Sequence, residues 1–240
     1  MGALAEKIKR ERLPYAAAVI VAGGSGTRFG GDKLMADLGG MPVLARTMLA
    51  FERAEPVRAL VVAARRELTE TVWALGRQYG ITKLTAVVPG GDTRTRSCLA
   101  GVLAVPAEAE LIAVHDGARP LVTEKVIRDA LWTAFRHTAA LPAVPVRDTV
   151  KIVEKGMVSG TPDRSHLAAA QTPQCFQADL IRAALLDAAE NAPDITDDCL
   201  AVERIGGRIA LSEGSEENIK ITTPWDLRLA ELILEGRERL

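Results

Sequence analysis

The order of apolar runs along the chain is the feature that most constrains its fold. The strand-length runs are 16–22, 59–64, 84–91 and 111–120, and helix-period stretches between and after them are 43–54, 67–80, 93–105 and 123–138. Repeated strand–helix units of this length predict parallel strands joined by right-handed helical crossovers. The expected fold class is therefore α/β, a mostly parallel, Rossmann-like twisted sheet with helices on both faces.

The loops richest in glycine and charge all follow strand candidates, at 22–33, 89–97 and 115–120. In a parallel sheet the carboxyl ends of the strands share one edge, and ligands bind outside that edge. We therefore expect the three loops to meet in a single site.

The strand–helix alternation is interrupted at 145–167. Residue polarity alternates there, charges are frequent, and Glu-Lys-Gly at 154–156 favours a turn between two strands. This pattern predicts a β-hairpin that projects from the core.

The remaining third of the chain mixes helices and strands. We expect helices at 179–190 and 195–206, a strand within 208–214, and a short strand followed by a closing helix within 218–236. The sequence shows no repeat and no linker. It is therefore expected to form a single domain over 1–240, with residues 1–14 as an N-terminal extension.

Composition and charge restrict the functional class. The chain has 240 residues and a formal net charge of −1, which disfavours a protein that mainly binds duplex DNA. Its three cysteines form no Cys-x-x-Cys pair, which disfavours structural zinc and fits a reducing, cytoplasmic compartment. No apolar segment reaches the roughly 18 residues that cross a bilayer. Neither a nucleic acid nor a membrane is an expected partner.

A basic stretch precedes the apolar run at 16–22, an order that secretory signal peptides also show. However, a glycine-rich loop begins immediately after the run. A buried strand of a parallel sheet has the same apolar composition, and we favour that interpretation.

The segment Ile20–Met35, IVAGGSGTRFGGDKLM, places five glycines and two cations directly after the first strand. A dinucleotide-binding GxGxxG pattern fails because Phe29 occupies the third glycine position, and a GxxxxGK[ST] phosphate loop fails because Asp32 precedes Lys33. A third interpretation has backbone amides approach a nucleotide triphosphate, with Arg28 and Lys33 supplying positive charge. A merely flexible turn would leave both cations unexplained, so we favour the third interpretation.

The motifs together resemble a known enzyme family. AGGSGTRFGGDK is similar to the GxGxR…K signature of sugar-nucleotide pyrophosphorylases and related nucleotidyltransferases. PGGDTRTRS, VHDGARP, PVRDTVK, AQTPQCF, ITDD and NIKIT follow in the order found in the 2-C-methyl-D-erythritol 4-phosphate cytidylyltransferase family. The resemblance covers residues 15–235 and implies a fold of the nucleotide-diphospho-sugar transferase type.

The resemblance implies transfer of CMP from CTP to 2-C-methyl-D-erythritol 4-phosphate, with release of pyrophosphate, in non-mevalonate isoprenoid precursor synthesis. It implies Mg²⁺ as cofactor, held mainly by the CTP phosphates, with Asp116 near it and no firm protein ligand. Such a reaction is catalysed by positioning and charge stabilisation. The residues implied as catalytic are Arg28, Lys33, Arg164 and Lys220.

The nucleotide site implied by the resemblance consists of Ala22, Gly23, Gly24, Gly26, Gly91, Asp92, Ser97 and Asp116. Backbone groups and the Ser97 hydroxyl would read the cytosine base. Asp92 also has a second interpretation, as the N-cap of the helix that follows. Arg94 faces either phosphate or solvent, and His115 is expected to pack at the strand end rather than act in catalysis.

The acceptor side implied by the resemblance consists of Thr149, Arg164, Thr196 and Lys220. The hairpin at 145–167 would be the arm of a homodimer, placing Arg164 and Thr196 of opposite chains in one acceptor pocket. Two alternatives stay open: a ribitol 5-phosphate cytidylyltransferase and an inactive nucleotide-binding regulator. The chain departs from the family in a shortened loop before Lys33 and in Gly117, where the family has alanine.

Overall fold

The computed structural model describes residues 13–24 and 29–239. Within them the strands are β1 Ala16–Ala22, β2 Val57–Ala64, β3 Leu84–Pro89, β4 Leu111–Asp116, β5 Ala139–Pro145, β6 Ile152–Glu154, β7 Met157–Gly160, β8 Ala168–Ala170, β9 Gln174–Gln177 and β10 Ala210–Glu213. The α-helices are α1 Val43–Arg53, α2 Thr69–Gln78, α3 Arg94–Leu103, α4 Glu124–His137, α5 Ala178–Asn191, α6 Asp198–Arg204 and α7 Pro224–Glu238.

Eight of these strands form one sheet in the order β10-β5-β9-β4-β1-β2-β3, with β8 paired to β5. Neighbouring strands run parallel except where β9 lies between β4 and β5 and where β8 joins β5. The prediction of a mostly parallel sheet is therefore confirmed.

The central strand β1 shows why the sheet carries helices on both faces. Ala18 and Ile20 point into one apolar layer, which includes Phe51 of α1. Ala17 and Val19 point into the layer on the other face, with side chains from α3 and α5. Because successive side chains of a strand alternate between faces, a wholly apolar run is what a doubly covered strand requires. The run at 16–22 is thus a buried strand, as predicted.

Local turn chemistry also follows the sequence. Thr123 is the N-cap of α4, as predicted, because its hydroxyl accepts a hydrogen bond from the backbone N–H of Val126 (3.4 Å). Strands β6 and β7 form the predicted hairpin, with Lys155 (φ 49°) and Gly156 (φ 81°) at its turn. Positive φ at both central residues is typical of two-residue hairpin turns.

Among the described residues, no helix is long and apolar enough to cross a bilayer.

Two expectations from the sequence need correction. The short strand predicted at the start of 218–236 is absent. The chain there forms one backbone hydrogen bond to the loop after β4, from Ile221 N–H to the carbonyl of Ala118 (2.8 Å). Conversely, β5 was not predicted, because its sequence AALPAVP contains two prolines and lacks β-branched residues apart from one valine. Most of the predicted extension 1–14 lies outside the described residues.

The contact between α3 and the sheet generates a prediction about Gly101. A Cβ atom at this position would lie 2.4 Å from Cγ1 of Val19 and 3.4 Å from Cβ of Ala63. Alanine favours a helix over glycine by about 1 kcal/mol, but overpacking a core costs about 1–3 kcal/mol. We expect Gly101→Ala to lower the free energy of unfolding in urea by about 1 kcal/mol.

The matched control for this prediction is Gly236→Ala in α7, where no described atom lies within 4 Å of the added Cβ. Without a steric conflict, the helix propensity of alanine should raise the stability by a few tenths of a kcal/mol up to about 1. Equal stabilisation by both substitutions would show that the α3–β1 contact is not close-packed.

Candidate active site

A cleft of about 460 Å³ opens at the carboxyl edge of the parallel strands. The loops that follow β1, β3 and β4 meet there, as expected from the strand order, together with residues just before α7. The lining residues are Val21, Ala22, Gly23, Gly24, Lys33, Leu34, Gly91, Asp92, Thr93, Arg94, Ser97, Asp116, Gly117, Ala118, Lys220 and Thr222.

One wall of the cleft is mostly backbone, because two loops approach Ser97 in the first turn of α3 too closely for side chains to fit between them. A Cβ atom on Gly23 would lie 3.2 Å from Ser97 Oγ, and one on Gly90 would lie 2.8 Å from it. The Ser97 hydroxyl lies 2.9 Å from the carbonyl oxygen of Thr93 and 3.2 Å from that of Gly91. Glycine therefore allows two loops to approach the start of α3, and it leaves their peptide groups accessible to a ligand.

The N-cap of α3 differs from the sequence-based interpretation of Asp92. Thr93 has the extended backbone of a cap residue, and its hydroxyl accepts a hydrogen bond from Arg96 N–H (3.2 Å). Asp92 instead pairs with the Arg96 guanidinium at 2.8 Å, which lowers the pKa of the carboxyl. The interpretation of Asp92 as the cap is wrong, because the residue one position later meets the geometric requirement.

The residues on either side of Lys33 are firmly held. Asp32 accepts a hydrogen bond from Leu34 N–H (3.1 Å) and pairs with Arg65, which directly follows β2. Leu34 is buried in the core layer that also contains Ile20. These contacts place Lys33 in the cleft lining despite the shortened loop.

Asp116, at the end of β4, is the electrostatic centre of the cleft. Its carboxylate lies 2.9 Å from Lys220 Nζ, 3.6 Å from Arg119 Nε and 3.8 Å from Arg94 Nη2. Burial alone would raise the pKa of Asp116, but the three cations outweigh it and hold the pKa well below its usual range. Asp116 is therefore ionised at neutral pH.

Arg94 lines the cleft and is held from behind by Asp198, a residue that sequence reasoning missed. Asp198 is fully buried, and its two carboxylate oxygens accept hydrogen bonds from Arg94 Nη1 (2.9 Å) and Nη2 (2.7 Å). Burial would lower the pKa of Arg94, but Asp198 raises it further than burial lowers it. The ITDD motif, which contains Asp198, was the signal available in the sequence. Arg94 therefore does not face solvent alone, because it is paired with the buried Asp198. A role of Arg94 towards phosphate stays a prediction.

His115 is a structural residue, as the sequence suggested. It is fully buried, with its ring centroid 4.9 Å from that of Phe51, and burial lowers its pKa to about 4. Its Nε2 lies 3.1 Å from the carbonyl oxygen of Arg119, which can only accept, so Nε2 carries the proton. Nδ1 then accepts from the Thr172 hydroxyl (2.9 Å), whose oxygen accepts a hydrogen bond from Asp116 N–H (3.2 Å).

Three of the residues assigned from the resemblance, Thr149, Arg164 and Thr196, are not part of the cleft lining. Gly26 and Arg28 lie outside the described residues, so their roles stay predictions. Thr149, Arg164 and Thr196 are exposed, and Arg164 Nη1 donates a hydrogen bond to the carbonyl of Arg147 (2.8 Å). A single chain does not bring these three side chains to the cleft.

Asp92 and Asp116 are the carboxylates among the described lining residues. Within residues 13–24 and 29–239, no group of three or more histidine, cysteine, aspartate or glutamate side chains could by itself hold a metal ion. Mg²⁺ commonly uses only one or two carboxylates when substrate phosphates supply the other ligands. The donor set of the cleft fits an ion of that kind.

Comparison with known proteins agrees with the geometry. The family profile of IspD, 2-C-methyl-D-erythritol 4-phosphate cytidylyltransferase, matches residues 16–236. Proteins of that name from Desulforamulus reducens and Symbiobacterium thermophilum are 42% and 43% identical to the chain, each over 92% of it and over 96% and 93% of their own lengths.

Solved structures agree as well. A 4-diphosphocytidyl-2C-methyl-D-erythritol synthase from Anaerococcus prevotii superposes with a TM-score of 0.82 at 28% identity, covering 92% of this chain and 96% of that one. The 2-C-methyl-D-erythritol 4-phosphate cytidylyltransferase from Thermus thermophilus has a TM-score of 0.75 at 31% identity, covering 90% and 98%. The family profile spans all the strands of the sheet and the lining residues of the cleft, and the chain therefore belongs to the 2-C-methyl-D-erythritol 4-phosphate cytidylyltransferase family of nucleotidyltransferases.

Proposed function

We propose that the cleft binds CTP and transfers CMP to 2-C-methyl-D-erythritol 4-phosphate, giving 4-diphosphocytidyl-2-C-methyl-D-erythritol and pyrophosphate for isoprenoid precursor synthesis. The observation that carries this proposal is the convergence of a peptide-lined pocket with Lys33, Asp116 and Lys220 in one cleft. An inactive nucleotide-binding regulator would not need these charged groups at the edge of the pocket. Ribitol 5-phosphate is the alternative acceptor, and the assay below distinguishes the two.

The wall formed by Ala22, Gly23, Gly91 and Ser97 is proposed to receive the cytosine base. Peptide groups and a fixed hydroxyl present donors and acceptors at set positions. A site built in this way rejects a base with the wrong pattern, because its own buried polar groups would lose their partners. The base pocket would therefore select CTP over other nucleoside triphosphates.

The part of the cleft that would bind the phosphates of CTP is proposed to be the place of the reaction. An acceptor phosphate oxygen attacks the α-phosphorus of CTP, and the bond to the pyrophosphate oxygen breaks on the opposite side. Lys33 and Arg28 would stabilise the negative charge that accumulates on the five-coordinate phosphorus, Arg28 with a planar fork and Lys33 with a compact charge. No covalent intermediate with the protein is required.

Mg²⁺ is proposed as the cofactor, and Asp116 is the residue that would face an ion carried by the CTP phosphates. When bound, the ion neutralises charge on the triphosphate. Asp116 supports this role because its carboxylate stays ionised over the physiological pH range.

The acceptor pocket is proposed to form between two chains. The hairpin residues Ile152, Val153, Met157 and Val158 have between 50% and 74% of their surface exposed. A two-stranded hairpin is marginally stable by itself, and exposed apolar patches mark interaction sites. Covering them against a second copy across a two-fold axis would bring Thr149, Arg164 and Thr196 towards the cleft that holds Lys220. In this proposal the chain is one catalytic domain with the arm at 145–167 as its dimer contact.

The cytoplasm is the proposed compartment. Cys98, Cys175 and Cys199 are buried and unpaired, as expected where thiols are kept reduced.

We expect pyrophosphate release to be rapid with CTP and 2-C-methyl-D-erythritol 4-phosphate, and at least about a hundredfold slower when ATP or GTP replaces CTP. The measurement is a coupled pyrophosphate assay with each nucleotide and each acceptor in the presence of Mg²⁺. Faster turnover with ribitol 5-phosphate would assign the other acceptor while leaving the cytidylyl transfer intact.

We expect Lys33→Ala and Arg28→Ala each to lower kcat by about a hundredfold or more, because one preorganised charge at a transition state contributes about 10²–10³ in rate. Circular dichroism should show an unchanged fold. Arg182→Ala serves as the control, since its Nη1 contacts Asp179 within α5 and Arg182 does not line the cleft. A Lys33→Ala protein with normal kcat would show that the shortened loop has moved this cation out of its role.

We expect deletion of residues 151–160 to convert a dimer into a monomer and to abolish most activity. The mass in solution can be followed by light scattering. A milder variant, with Val153, Met157 and Val158 all changed to Ser, should weaken the dimer, whereas Leu103→Ser should not, although Leu103 is also exposed (57%). A deletion variant that stays dimeric and active would exclude the arm from both the interface and the site.

A further inference from the structure

Lys220 lies in a segment without regular secondary structure, between β10 and α7. Its Nζ nevertheless lies 2.9 Å from a carboxylate oxygen of Asp116. Lysine has a flexible four-carbon side chain, so the position of its ammonium group depends on how firmly the backbone is held. The contacts that hold this backbone therefore decide where the charge of Lys220 lies in the cleft.

Asn218, two residues earlier, is the fully buried polar side chain of this segment. Its Nδ2 donates hydrogen bonds to the carbonyl of Thr172 (2.9 Å) and to Oε1 of Gln171 (3.3 Å). Its Oδ1 is buried without a hydrogen-bond partner among the described residues. The donor half of the amide thus makes the contacts that tie the segment to the residues before β9.

The backbone on either side of Lys220 is held by the loop that follows β4. Arg119 Nη1 donates a hydrogen bond to the carbonyl of Asn218 (2.6 Å), and Ile221 N–H donates to the carbonyl of Ala118 (2.8 Å). This loop directly follows Asp116, the last residue of β4. Lys220 is therefore held between two backbone hydrogen bonds to the same loop that carries its carboxylate partner.

We infer that Asn218 is a positioning residue that sets Lys220 relative to Asp116 and the substrate phosphates. The buried side-chain amide holds the backbone of Asn218 where the Arg119 guanidinium can donate to its carbonyl. The position of this backbone in turn determines where the Lys220 side chain leaves the main chain. This inference rests on the proposed function of Lys220 at the acceptor phosphate. It assigns no contact between Asn218 and substrate.

A double-mutant cycle tests the inference, with kcat and KM measured for CTP and the acceptor. We expect Lys220→Ala to lower kcat/KM for the acceptor by about a hundredfold and Asn218→Ala to lower it by about tenfold. In the Lys220→Ala background, Asn218→Ala should cost less than about twofold, because there is no longer an ammonium group to position. If Asn218→Ala lacks a cooperative unfolding transition, Asn218→Ser replaces it in the same cycle.

Two controls separate positioning from general damage. Asn191→Ala removes an exposed amide that donates only to Asp187, and Ile181→Val weakens the core layer on the other face of the sheet. Neither should couple to Lys220→Ala, even where Ile181→Val lowers the melting temperature.

The outcomes distinguish the inference from the proposed function. If the Asn218 effect persists in full in the Lys220→Ala background, the amide acts on the fold in general and the inference is overturned, while the role of Lys220 stands. Unchanged kinetics of Lys220→Ala would overturn the acceptor role of Lys220 and the inference together. A loss caused by Asn218→Ala only when Lys220 is present, together with a large loss from Lys220→Ala itself, supports both.

Discussion

The buried carboxylate of Asp116 is the constraint on which the rest of the site depends. An ionised carboxylate removed from water costs several kcal/mol unless charges and hydrogen bonds replace its hydration. The replacement comes from three cations, Arg94, Arg119 and Lys220, which belong to three different segments of the chain. Neutralising one charge thus holds the start of α3, the end of β4 and the segment before α7 in fixed relation.

The same need to compensate a buried charge applies to Arg94, one of the partners of Asp116. Arg94 is itself largely buried, and Asp198 at the start of α6 balances its charge with two hydrogen bonds. The α6 helix is in turn attached to the sheet, because Gln174 Oε1 of β9 accepts hydrogen bonds from the backbone N–H groups of Asp198 and Cys199, each at 3.0 Å. An antiparallel strand that contributes no residue to the described cleft lining therefore supports a charged wall of the cleft.

Most predictions from local patterns succeeded, apart from the N-cap at Asp92, whereas contacts between distant residues were missed. The strands β1, β2, β3 and β4 have apolar runs bounded by loops, and the N-cap at Thr123 and the turn at 155–156 depend on neighbouring residues only. Strands β5 and β9 carry no such pattern. β9 forms because β4 offers an edge to pair with, and β5 in turn pairs with β9. Asp198 could not be assigned, because its partner Arg94 is 104 positions away in sequence.

The sequence by itself determined the class of fold, the edge of the sheet at which the site lies, and the glycine loops and cations of the family motifs. It could do so because side-chain periodicity, capping and glycine chemistry act over a few residues. The tertiary structure alone decided which charges meet: Asp116 with Lys220, Arg94 with Asp198, and Asn218 with the residues before β9. Buried charges and amides must find partners wherever the chain brings them together, and that depends on the packing of the whole sheet.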